Sequence, residues 1–127
     1  MTEIAKFLRK LRIDNEQSLG DMAEKLGLSA AYLSAIENDK RKIPEDMKDN
    51  LFKAYSLTEE QKLEFARLVA KSREKVVIDF NGFQNDYRSE YMDTAVMFAH
   101  DLSQMDRKQL EEVKKLLLKL KPDVSPM

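Results

Sequence analysis

The sequence predicts an all-α protein, and three observations carry that prediction. Apolar residues recur three and four positions apart along most of the chain, the spacing of amphipathic helices. Only three glycines and three prolines interrupt this periodicity. Ser18, Ser29 and Thr58 stand just before three of the periodic stretches, where a helix-capping side chain belongs. The expected architecture is an N-terminal bundle of about five helices, then a short extended or strand segment, then two C-terminal helices. Residues 1–57 form the expected first domain and 58–127 a helical second region.

The elements follow in order. A first helix is predicted from Glu3 to Asp14, with Ile4, Phe7, Leu8 and Leu11 on one face. A second begins at the N-cap Ser18, with Asp21 three residues on, and places Leu19, Met22, Ala23 and Leu26 inward. Gly27 is its natural stop. Ser29 caps a third helix that packs through Leu33, Ile36 and Tyr32. A polar loop then leads to Pro44, which suits the first turn of a fourth helix over Glu45–Tyr55. Thr58 and Gln61 form a capping box for a fifth helix reaching Glu74. Val76, Ile78 and Phe80 alternate before Asn81-Gly82, so this segment is either one short strand needing a partner or an extended linker. Two helices close the chain, Tyr87 to Leu102 and Arg107 to Lys121, with residues 121–127 read as a frayed tail.

Composition narrows the function. The chain is 43% hydrophobic and 35% charged, values of an ordinary folded domain rather than a disordered or membrane-embedded one. Its apolar runs are short, Leu116–Leu118 being an example, and a membrane helix needs about 20 such residues. The N-terminal stretch lacks the apolar centre of a secretory signal, and there is no cysteine for a disulfide or thiolate metal site. A cytoplasmic protein without cofactor or metal is expected. Net charge is −1, so no global basic balance advertises nucleic acid, and any such role must rest on charge gathered at one face.

One stretch concentrates such features: "LRKLRIDNEQSLGDMAEKLGLSAAYLSAIENDKRKIPEDM". Ala23 is small where two motif helices cross, Gly27 permits the tight turn, and Leu33 and Ile36 anchor the third helix. Glu37-Asn38 then runs into a basic loop. On these residues, Ile4–Leu57 resembles the helix-turn-helix domain of the phage-repressor (Xre/Cro/C1) family. The resemblance implies a lambda-repressor-like helical bundle whose third helix enters the major groove. It also implies an ion pair between Arg12 and Glu37 that braces the fold. Two positions depart from the family pattern: Leu19 replaces a glutamine that reaches phosphate, and Asp39 replaces a loop glycine. Aspartate tolerates a left-handed backbone but brings negative charge toward phosphates, so modest affinity is expected.

By the same resemblance, Ala30, Ala31, Ser34 and Ala35 face base edges. Alanine can only touch a thymine methyl, and serine discriminates little between bases. Tyr32 can offer its hydroxyl to a phosphate or base, or be half-buried. Asn38, Lys40, Arg41 and Lys42 supply phosphate contacts, aided by the helix N-terminus that Ser29 opens. Double-stranded DNA is thus the expected partner, through Ser29, Ala30, Ala31, Tyr32, Ser34, Ala35, Asn38, Lys40, Arg41 and Lys42.

Elsewhere the chain carries little chemistry. His100 is the only histidine and suits a helix end better than a metal site. Asp14, Glu16, Asp21 and Glu24 read as a solvated face, and no glycine-rich phosphate loop or nucleophile elbow is present, so no enzymatic activity is expected. Tyr87, Tyr91, Ala95, Phe98 and Leu102 share one stripe, with Met92, Met97 and Met105 nearby as lining for an adaptable groove. Leu110, Val113, Leu117 and Leu120 repeat at heptad-like spacing and are the expected homodimer contacts. A transcriptional regulator, expected to be a repressor, follows from the motif and this stripe. The alternative is an antitoxin-like module whose C-terminal helices cover a protein partner.

Overall fold

Capping side chains set where most helices begin. In the computed structural model, which describes residues 1–121, α1 spans Glu3–Asp14 and starts at Thr2, whose hydroxyl accepts the Ala5 N–H. For α2 (Leu19–Leu26), the Ser18 hydroxyl accepts the Asp21 N–H while the Asp21 carboxylate accepts the Ser18 N–H. Those bonds hold the Asp21 carboxyl below its ordinary pKa. Ser29 caps α3 (Ala30–Glu37) through the Tyr32 N–H. α4 (Met47–Ala54) has no side-chain cap, whereas α5 (Glu59–Arg73) opens with the Thr58–Gln61 box. α6 covers Arg88–Leu102, and α7 covers Arg107–Lys119 behind an Asp106–Gln109 box. Residues 122–127, most of the stretch read as a frayed tail, lie outside the described residues.

The chain divides into two compact units, Met1–Val77 and the residues from Ile78 onward. The first holds α1 to α5. Leu8, Met22, Leu33, Met47, Leu51 and Phe65 are fully buried there, with Leu11, Ala23, Leu26 and Ile36 around them. Phe65 lies 5.0 Å from Phe7 and 6.4 Å from Phe52, ring centre to ring centre, so α5 completes this core. Gly27 takes the left-handed conformation at φ 69°, which turns the chain from α2 into α3 within three residues. The Arg12 guanidinium donates to both Glu37 carboxylate oxygens at 2.9 and 3.3 Å, and Glu37 is buried. The Tyr55 hydroxyl donates to Gln17 Oε1, and burial, helped by the Asp21 charge, pushes its pKa up so that it stays protonated.

Three expectations are corrected. The fourth helix does not begin at Glu45 with Pro44 in its first turn: the Met47 N–H donates to the Pro44 carbonyl, making a separate turn before α4 starts. Of the two readings of Val76–Phe80, a strand and an extended linker, the strand is not formed. Among the described residues there is no strand to pair with it, Val76, Val77 and Ile78 are exposed, and Phe80–Gly82 is a short 3-10 turn nucleated by the Asp79 carboxylate. Tyr87 ends a second 3-10 turn (Asn85–Tyr87) and serves as the N-cap position of α6 rather than its first residue.

In the second unit, Phe80, Phe83 and Tyr91 stack in sequence at 5.1 and 4.9 Å. Arg88 donates to the Phe83 carbonyl at 3.3 Å, tying the turn to the start of α6. Beyond this small cluster, neither α6 nor α7 has a buried residue. No helix among the described residues is long and apolar enough to cross a membrane.

Candidate nucleic-acid interface

Two short segments flank α3 and gather the polar groups of the site. At its N-terminus, the Ser29 hydroxyl accepts the Tyr32 N–H and the Ser29 carbonyl accepts the Leu33 N–H. Ala30 and Ala31 are exposed, and their own N–H groups, in the first turn, have no carbonyl within the helix to bond. The methyl side chains carry no hydrogen-bonding information, but the amides beneath them are free donors at a positive dipole end.

At the other end, the loop winds back onto the helix. The Lys40 and Arg41 N–H groups both donate to the Ala35 carbonyl, at 2.8 and 3.3 Å. The Asn38 amide donates to the Ser34 carbonyl at 2.9 Å, which uses donor capacity that a phosphate would otherwise take. Tyr32 is half-buried: its ring lies under the Arg41 guanidinium at 5.2 Å and its hydroxyl donates to the Lys42 carbonyl at 3.4 Å. It therefore shapes the basic loop from beneath. Ser34 and Ala35 are half-buried, whereas Lys40, Arg41 and Lys42 are all exposed, and among the described residues none of the three is engaged in an ion pair.

The two positions that depart from the family pattern have separate explanations. Leu19 packs against the rim of the core and has no means of reaching phosphate. Asp39 adopts the left-handed conformation at φ 61°, as the glycine it replaces would. Its carboxylate accepts the Thr2 N–H at 3.0 Å on each oxygen, which holds its pKa below the ordinary 3.8 and ties the start of α1 to the loop. This brace, with its 37-residue separation, left no signal in local sequence.

His100 lies exposed in the last turn of α6. Among the described residues there is no cluster of three or more histidine, cysteine, aspartate or glutamate side chains placed to hold a metal ion. Leu110, Leu117 and Leu120 are exposed and Val113 is half-exposed, all on or just past α7.

A helical pair joined at a left-handed glycine, with a capped second helix and a basic loop behind it, defines a helix-turn-helix. Residues 3–65 match the family model described as "Helix-turn-helix domain", consistent with an Xre/Cro-type regulator. The domain is a DNA-binding module. No curated protein and no solved structure matches the chain.

Proposed function

We propose that this protein is a sequence-specific transcriptional regulator that binds operator DNA as a homodimer, acting in the cytoplasm and most simply as a repressor by occupying its site. It is a binding protein, not an enzyme. The observation that carries the proposal is the exposed Lys40–Lys42 loop, fixed by Tyr32 and Ala35 beside a helix whose first amides are free. Such a site grips phosphate strongly and reads bases weakly. Specificity then comes from thymine methyls near Ala30 and Ala31, from DNA shape, and from the spacing of two half-sites. A single module buries too little surface for tight operator binding, which calls for the dimer.

The test begins with selection of bound fragments from a genomic library and footprinting, which yields the operator and its half-site spacing. On that operator, Lys40→Ala and Arg41→Ala are each expected to weaken binding and to reduce the slope of log affinity against log salt by about one. The loss should be similar on unrelated DNA. Failure of the wild-type protein to retain any fragment at low salt would overturn the reading. The exposed apolar faces of α6 and α7 favour one second reading, an antitoxin-like protein that covers a toxin and represses their shared operon. A stoichiometric co-purifying protein would support it.

A further inference from the structure

The second unit presents two apolar helices and covers neither. Phe98 and Leu102 of α6 are 42% and 40% exposed, and Leu117 and Leu120 at α7 are 57% and 68% exposed. The connection between the helices, Ser103 to Asp106, is short enough to fold them into an antiparallel hairpin. They nevertheless do not pack against one another along their lengths. Each stripe therefore lacks a partner within its own unit among the described residues.

Charge says what the partner is. α6 carries three carboxylates, Glu90, Asp93 and Asp101, against one arginine, and Arg88 is already spent on the carbonyls of the preceding turn. α7 carries five basic residues, Arg107, Lys108, Lys114, Lys115 and Lys119, against Glu111 and Glu112. The helices have 15 and 13 residues, hence similar lengths of about 22 and 20 Å. An acidic apolar helix and a basic apolar helix of matched length complement each other; since the two do not pack together within one chain, a second copy is the partner that offers both at once.

We propose that α6 of one chain packs on α7 of a second copy, and reciprocally, in a closed two-fold exchange. This rests on the homodimer of the proposed function and specifies which helices meet. Leu110, Val113, Leu117 and Leu120 then face the α6 stripe of the partner chain rather than their own counterparts.

The exchange makes a prediction that a simple α7–α7 coiled coil does not. In one full-length variant the charges flanking the α6 stripe are reversed (Glu90→Lys, Asp101→Lys), and in the other those flanking the α7 stripe are reversed (Arg107→Glu, Lys114→Glu). All four positions are exposed, so the fold of the first unit is untouched, as circular dichroism will verify. Each variant alone is expected to show a dimer dissociation constant raised about tenfold or more at low salt by analytical ultracentrifugation. An equimolar mixture is expected to return to within about threefold of wild type, because both reciprocal contacts again pair opposite charges. Overturning results are a wild-type monomer at the highest soluble concentration, variants that dimerise unaided, or a mixture that stays dissociated. Non-specific DNA retention at low salt, measured on the same samples, tests the DNA-binding reading separately. A restored mixed dimer that retains no DNA would sink that reading and leave the exchange standing.

Discussion

Glu37 is a carboxylate placed among core residues, and Arg12 is what makes that tolerable. Their side chains are only 7% and 17% exposed, so removing one leaves the other shielded from water and unpaired. Arg12→Met is expected to lower the unfolding free energy by about 3 kcal/mol in a urea titration. The double variant Arg12→Met/Glu37→Met should recover most of that loss, since no charge is then stranded. Asp39 is a different case, exposed and held ionised by the Thr2 N–H. Its folded-state pKa is depressed, so its contribution is present above the unfolded value and disappears as pH falls through the folded one. Asp39→Asn is expected to flatten the pH dependence of the thermal midpoint between about pH 5 and pH 3 relative to wild type. At neutral pH the same change should tighten DNA binding a few-fold, by removing a negative charge beside the loop proposed to face phosphate.

At the scale of elements, the turn between α2 and α3 is the most exposed to single substitutions. A Cβ at Gly27 would meet no atom within 4 Å, so Gly27→Ala tests the left-handed backbone alone. The expected cost is about 1 kcal/mol, measured by thermal or urea unfolding. Helix existence was legible in the sequence because period and caps agreed at Ser18, Ser29 and Thr58. Boundaries were less so. Pro44 fits a first helical turn and equally a preceding one, and the hydrogen bond that decides between them is local backbone geometry. Val76, Ile78 and Phe80 alternate as a strand does, yet alternation without a neighbouring strand satisfies no backbone group. For the candidate site, sequence proposes a set of residues but not their arrangement. Tyr32 beneath Arg41 and Thr2 against Asp39 join positions whose separation in sequence carries no period.

For the whole molecule, the unequal distribution of core has a measurable outcome. Among the described residues, all the buried hydrophobic side chains lie in residues 1–77, and α6 and α7 contribute none. A fragment of residues 1–77 is expected to fold cooperatively, remain monomeric by ultracentrifugation, and keep salt-sensitive binding to arbitrary DNA. It should lose most of its preference for the operator, because a lone half-site reader forfeits spacing as a source of discrimination. A fragment beginning at Ile78 should show concentration-dependent helicity, low when dilute, since its helices find apolar partners only in other copies.

The bare start of α3 has one more consequence, for how this protein can change. Ala30 and Ala31 are exposed and take no part in the core, so their side chains are not constrained by folding. Most recognition surfaces must trade stability against a new preference; these two positions are blank. Randomising them and selecting on operator variants should recover proteins with altered base preference and unchanged melting temperature, making this helix a site where target choice can drift or be rewritten without redesigning the domain.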